Sequence, residues 1–427
     1  MWLRRLLCGR FMRREQRDLP TKADAARVLA GRSPCRLLCA LLLGAVVLSS
    51  PALVAAAQPY TPAQDDEVLE QLPATFTAGR DELTTLRRRL AADPKNDALA
   101  LETATRFVQL GDSESDWRFY GYARAAIQPW WDSADPPRDI LRLRAKLKEK
   151  DHGYQPAAAD LTLLLQSEPR NVQAWVTLSN IYRVLGDYDK AWQASEQMAQ
   201  FAGPIPLAIC RVPLQAASGK AQQAYAELAQ ILPQVRDRSP STVQWILTMQ
   251  GEIALALGKD QEAEEHFREG LKNKPGDKYL LRSYADFLLD RGRHKEVAPL
   301  LREYVNDNGI MLCAAIAARR SGDLPQAQQW QAELAERFAE MRLRGSSTQG
   351  RYEARYALQL KDDPREAVTL ASANWKLQKE MHDARVLLEA AIAAHDGAAG
   401  RPVAVFLQEH GTENVLLLKL VEQLDRK

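Results

Sequence analysis

The chain has 427 residues, 26% of them charged and 46% apolar, with a formal net charge of +2. That length holds two or three domains or one extended array, and the composition is ordinary for a soluble protein, with no basic stripe to mark a nucleic-acid surface. Aromatic residues are few and alanine is plentiful, a mixture that favours helices.

The charge is unevenly placed. Ten of the 57 basic residues but only three of the 55 acidic ones fall within residues 1–57, which leaves the remainder at −5. Behind this basic stretch, residues 37–48 form an apolar run, Ser49-Ser50-Pro51 breaks it, and small residues lead to Ala55-Ala56-Ala57. A basic flank, a short apolar core and an A-x-A site are the parts of a secretory signal peptide, with cleavage expected after Ala57. The flank is long for a signal, which leaves Met12 open as an internal start. The alternative is an uncleaved anchor over 37–57, an inner-membrane tether whose basic side stays in the cytoplasm. Pro51 and the serines weaken that span. Either way the bulk of the chain is expected in the periplasm. The arginine pairs at 4–5 and 13–14 lie too far from the apolar run for a twin-arginine signal. Cys35 and Cys39 lack the small-residue context of a lipoprotein box.

Residues 58–95 read as linker and lead helix, 58–80 being mostly linker. At 127–132, "IQPWWD" ends a helix at Pro129 and sets Trp130-Trp131 before the polar linker "DSADPP". Tryptophans at a helix exit pack over adjoining helix ends or, if exposed, offer an aromatic anchor to a partner. "ANWK" (373–376) has the same two readings, with the core favoured.

From 96 to 396 the sequence repeats. In the unit that ends with "GEIALALGKDQEAEEHFREGLKNKP" (251–275), Leu247, Gly251, Ala254 and Leu255 share one helical face. Gly258 stops that helix, and Ala263, Phe267, Gly270 and Leu271 line a second one at i, i+4, i+7 and i+8, which Pro275 ends. Paired helices about 8–10 Å apart need small residues at their closest approach and one bulky residue beside it. Gly251 and Ala263 supply the first, Phe267 the second. The small residue after each turn recurs at Ala157, Ala191, Ala224, Ala263, Val297, Ala327 and Ala367, at intervals of 34, 33, 39, 34, 30 and 40. A period near 34 predicts an all-α solenoid of helical hairpins. The long intervals predict inserted loops near 234–243 and 340–350, and Pro213 a kink inside its helix. Residues 397–427 read as C-terminal capping helices, over 401–424. Cys210 and Cys313 fall three units apart at equivalent positions, too far for a disulfide, and are expected as buried free thiols.

At these residues the chain resembles the tetratricopeptide-repeat family. Unit 244–277 fits its pattern at Leu247, Gly251, Ala254, Ala263, Phe267 and Pro275, with Gly270 in place of alanine. Unit 172–205 fits at Trp175, Tyr182 and Ala191, with Ser179 as the small residue, and unit 138–171 at Leu141, Ala145, Ala157, Leu161 and Pro169. Units 278–307 and 308–337 are looser and 205–238 the loosest. The layout also resembles an uncharacterised group of exported bacterial proteins with such repeats, through the leader, "YTPAQDDEVLEQLP" (60–73), "YARAAIQPWWD" (122–132) and "ASANWKLQKEMHDARVLLEAAIAAH" (371–395). The resemblance implies a partner-binding inner groove lined by Arg142, Lys146, Asn180, Arg183, Glu252, Arg282, Asp286, Arg319, Arg320, Tyr352 and Tyr356. Thr177, Pro206 and Cys210 occupy places where some members carry a carboxylate clamp, which argues against recognition of chaperone tails.

The search for chemistry returns no H-E-x-x-H, C-x-x-C or phosphate loop, so neither a metal nor a cofactor is expected. His266 beside Phe267 reads as surface or core edge. His152 and His294 fall in turns between paired helices, where solvated side chains are expected. His382 and Asp383 open a helix, with Asp383 favourable at its positive end. The expected protein is a non-enzymatic exported scaffold that holds a protein or peptide partner, in envelope assembly or trafficking. The alternative is a membrane-tethered structural or accessory subunit of an envelope enzyme or transporter.

Overall fold

Small residues decide where the helices meet. Ala157, Ala191, Ala224, Ala263, Val297, Ala327 and Ala367, which set the period, are all buried. The computed structural model describes residues 80–426 apart from Ser115, Arg238 and 344–348, so the expected leader and cleavage site lie outside the described residues. Among the described residues there are twenty α-helices and no strand.

Helix α1 (Arg80–Ala92) leads into hairpins α2 (Asp97–Glu114) with α3 (Arg118–Ala126), and α4 (Arg138–Lys150) with α5 (Tyr154–Ser167). Then α6 (Val172–Leu185) pairs with α7 (Tyr188–Met198), α8 (Pro204–Ala217) with α9 (Ala221–Val235), and α10 (Pro240–Ala256) with α11 (Asp260–Asn273). The series continues through α12 (Lys278–Asp290) with α13 (His294–Leu301), and α14 (Asn308–Ser321) with α15 (Leu324–Leu343). Last come α16 (Gly350–Gln359) with α17 (Pro364–Leu377), α18 (Met381–Ala394) with α19 (Gly397–Glu409), and α20 (Val415–Asp425). Asn171, Asp187, Asp277, Asp307 and Asp363 cap helix starts by accepting a backbone N–H three residues on.

First helices touch the first helices of neighbouring hairpins, as α6 does α8 and α12, α14, α16 and α18 do in turn. Second helices do not do so to a comparable extent, so the first helices form the inner row. Phe267 is fully buried against Gly251, with Tyr284 and Phe287 at ring distances of 5.9 and 6.3 Å. The crowding read from the opening repeat is the crowding the fold uses.

One sequence reading meets the structure differently. No loop is inserted at 234–243: α9 ends at Val235 and α10 starts at Pro240. The surplus lengthens α10 to 17 residues, because Val243, Gln244 and Ile246 continue its buried stripe. At 340–350, α15 ends at Leu343 and α16 starts at Gly350, and the loop expected between them lies mostly at 344–348, outside the described residues. As expected, Pro213 sits inside a first helix, α8, which continues past it to Ala217. Cys210 and Cys313 are buried and free.

Candidate functional site

The array closes on itself. Residues 378–380, between α17 and α18, lie outside any helix, yet the Lys379 N–H donates to the Val184 carbonyl at the end of α6 (2.7 Å). Lys379 Nζ donates to the Leu185 carbonyl (3.1 Å), Arg183 pairs with Glu380 (3.1 Å), and Tyr154 Oη donates to Gln378 Oε1 (2.9 Å). Farther along the seam the Ala221 N–H donates to Glu413 Oε2 (2.7 Å), and Tyr188 stacks on His410 and meets Phe406 edge-on. One apolar cluster joins Tyr188, Ala191, Leu214 and Ala217 to Trp375, Phe406 and Leu407.

Two glycines admit this seam. Gly186 ends α6 at φ 80°, and a Cβ there would stand 2.8 Å from Lys379 Cδ and 2.9 Å from Phe406 Cε2. At Gly219, φ 71°, a Cβ would meet the Gly411 carbonyl oxygen at 2.6 Å. Both turns need the left-handed backbone and the missing side chain together.

Closure brings α18 across the inner row. A small cavity, about 60 Å³ and so room for about two waters, is lined by Tyr279, Arg282, Ser283 and Asp286 of α12, Cys313 of α14, and Arg351, Tyr352 and Arg355 of α16. Glu380, His382, Arg385 and Glu389 complete it. Its charges are committed to one another. Arg355 pairs with Asp286 (2.6 Å), Arg282 with Asp307 (3.3 Å), and Arg385 with Asp290 (2.6 Å) and Glu389 (2.7 Å). Arg351 reaches Asp383 (3.4 Å) and Glu380 (3.5 Å). Burial pushes the Asp286 carboxyl up, but the Arg355 guanidinium outweighs it and holds the group down at about 2. Glu380 likewise stays below the usual carboxylate range, because Arg183 and Arg351 overcome its burial. Burial drives the Cys313 thiol up to about 12, where it donates to Asp286 Oδ1 (3.4 Å) as a protonated group and not as a nucleophile.

His152 belongs to this region, and the solvated side chain expected in its turn is not what the fold supplies. Its Nδ1 is buried without a hydrogen-bond partner, and its ring stacks on Tyr154 at 5.4 Å. The turn faces Arg351 and Glu380, so it is enclosed by the seam. Burial, and then Arg351, lower its pKa to about 4. The folded chain therefore keeps His152 neutral while the unfolded chain takes up a proton from about pH 6.5 downward. Stability is expected to fall by about 2–3 kcal/mol from this group as pH drops from about 6.5 to about 4. His152→Asn, which tolerates the φ of 58°, is expected to flatten that limb in urea melts at pH 7.5 and 4.5. The Asp286 contribution lies lower, lost only below the ordinary carboxylate range.

Residues 214–321 match the model of the tetratricopeptide-repeat family. This stretch carries tetratricopeptide repeats. Among solved structures it is similar to PilW, a widely conserved type IV pilus biogenesis factor, at 18% identity over 48% of this chain and 96% of PilW, with a TM-score of 0.38. Yeast Tom70 gives 10% identity over 82% of this chain and 86% of its own, with a TM-score of 0.38. The Cut9–Hcn1 structure of the APC/C gives 12% over 82% and 88%, with a TM-score of 0.32. Likenesses at this level carry nothing about partners. No curated protein matches the sequence.

In this helical array the residues expected to line a groove divide into two sets. Arg183, Glu252, Arg282, Asp286 and Tyr352 converge on the closed centre, Arg183 through Glu380, and Glu252 through Ser283 (2.7 Å) and Tyr279 (3.2 Å). Asn180 supports Arg183 (2.9 Å). The others stay apart. Arg142 pairs with Asp139 and Glu168, and Lys146 with Asp112 (3.2 Å), both half-exposed. Arg319 donates to the Gln359 and Leu360 carbonyls and pairs with Asp362, and Tyr356 Oη donates to the Gln331 carbonyl. Arg320 does not line the cavity but is exposed at its edge, in the field of Arg355, Arg385, Glu389 and Asp290, and reaches Gln359 Oε1 (3.4 Å). Trp130 and Trp131 pack against the core formed by α2, α3 and α4, with Arg124 4.4 Å over the Trp131 ring.

Sequence reasoning passed over Arg351, Arg355 and Arg385. Arg351 and Arg355 sit one residue before the two tyrosines that were chosen, at the i, i+4 spacing of one helix face. The 40-residue interval just upstream blurs the register by which groove positions are counted.

Proposed function

We propose that the chain is a non-enzymatic scaffold that binds a protein or peptide partner, exported to the periplasm and working in envelope assembly or trafficking. The repeat match at 214–321 supports the scaffold reading, and the leader in residues 1–57 motivates the location. Because α18 spans the middle of the inner row, the binding surface lies where the row stays open. Arg142 and Lys146 mark one such place, and exposed Arg320 the edge of the closed centre.

The full chain, affinity-tagged and crosslinked in its native envelope, is expected to retain a discrete partner that Arg142→Glu with Lys146→Glu, or Arg320→Glu, releases without lowering the melting temperature. Recovery of no stoichiometric partner contradicts the scaffold; full retention by both variants removes the open inner ends. Amino-terminal sequencing of the exported protein separates a free periplasmic scaffold, starting at Gln58, from a tethered subunit with its leader intact.

A further inference from the structure

Closure builds a second, wider feature away from the inner row. A groove of about 610 Å³ runs between α5 and the place where residues 376–379 meet the α6–α7 turn. Such a volume is typical of ligand and peptide sites. Along α5, Gln155, Ala159, Thr162, Leu163 and Gln166 are exposed at i, i+4, i+7, i+8 and i+11. That is one uncharged helical stripe, with small side chains at 159 and 162 that permit close approach. Leu185 and Tyr182 form part of the facing wall.

The rim is cationic. Lys190, Lys376 and Lys379 line the groove against a single acid, Asp187, which Lys190 already holds at 2.6 Å. Lys376 makes no ion pair among the described residues. Lys379, half-buried, has the Leu185 carbonyl as its side-chain hydrogen-bond acceptor, and burial lowers its pKa. A half-buried ammonium with no ion pair among the described residues is an unfavourable arrangement that an incoming anion relieves. Three cations on one rim above an uncharged floor do not form the continuous basic track a nucleic-acid backbone requires.

We propose that this groove docks an amphipathic peptide segment of a partner, whose small or apolar side chains lie on the α5 stripe and whose Asp or Glu meets Lys376 and Lys379. The proposal rests on the scaffold reading above and adds, beside the open inner row, a second surface with its own partner chemistry. Because the Lys379 wall exists only in the closed array, the docked segment also holds the seam shut.

The test is selection of a phage-displayed library of random 12-residue peptides on the intact chain, followed by anisotropy with the labelled winners. Selected peptides are expected to carry Asp or Glu three or four residues from Leu, Val or Ala. Their affinity is expected to fall at least tenfold for Lys376→Glu, and for Leu163→Glu, which blocks the floor instead of the rim. It is also expected to fall when winning acids are changed to amides. Both variants alter exposed side chains, and unchanged thermal melts confirm their fold. No enrichment, winners without acids, or affinities untouched by both variants overturn the groove. Retention of the native partner by Lys376→Glu in the envelope crosslinking experiment then leaves the scaffold reading standing without it.

Discussion

Gly251→Leu is expected to abolish cooperative folding of the α10–α11 hairpin, and Gly251→Ala to weaken it measurably. A Cβ at 251 would stand 2.3 Å from Phe267 Cε1, 2.5 Å from Cδ1 and 2.9 Å from Cζ. The ring cannot retreat, since Phe267 is fully buried with Tyr284 and Phe287 behind it. Overpacking of one methyl costs about 1–3 kcal/mol, while replacing a mid-helix glycine by alanine returns about 1 kcal/mol of propensity. The crowding wins. The sign reverses once the ring is gone: in a Phe267→Leu background, Gly251→Ala is expected to be neutral or stabilising. Urea melts of the four proteins in the double-mutant cycle measure the coupling, expected at about 1–3 kcal/mol. Additive effects would mean that the glycine serves something other than close helix packing.

Arg144→Met is expected to be the most damaging polar substitution in the chain. The guanidinium is 4% exposed and makes a fork with Asp160, Nε to Oδ2 at 2.9 Å and Nη2 to Oδ1 at 2.7 Å. Its Nη1 donates to the carbonyls of Trp130 (2.6 Å), Trp131 (3.0 Å) and Ser133 (2.8 Å). Removing it leaves a buried carboxylate with only Lys148 (2.8 Å) and three carbonyls robbed of their shared donor. Breaking such a pair costs about 3–5 kcal/mol. Arg144→Lys is expected to recover little, because one ammonium cannot serve both the fork and the carbonyl triad. Melting temperature and a red-shifted tryptophan emission report the loss together. If emission stays unchanged, the Trp130–Trp131 turn is held by its rings alone.

These two sites show what was legible in the sequence. Gly251, Ala263 and Phe267 interact within one hairpin, so spacing alone revealed them, and the same holds for the alanines that set the period. "IQPWWD" was recognisable as a packed helix exit. Its anchor, Arg144, looks like any other basic residue on a helix, because nothing local marks a side chain destined for carbonyls 11–14 residues upstream. The seam was hidden for a stronger reason. Repeat reasoning treats each unit as touching only its neighbours, whereas Arg183 and Glu380 are 197 residues apart. The groove residues inherited that blindness: Glu252, Arg282 and Asp286 do face inward, but α18 and α16 already meet them there. His152 was misjudged by the same route, its turn being covered by a distant part of the chain.

Closure of the array is the claim on which the occupied centre, the wide groove and the neutral His152 all depend. Hydrogen exchange at the Lys379 amide tests it most directly, because that N–H lies outside any helix and its acceptor is Val184. The expected result is protection matching that of the neighbouring helices, reduced selectively by Glu380→Ala. Exchange at the rate of an open loop, in a chain whose helices remain protected, would contradict the closed array.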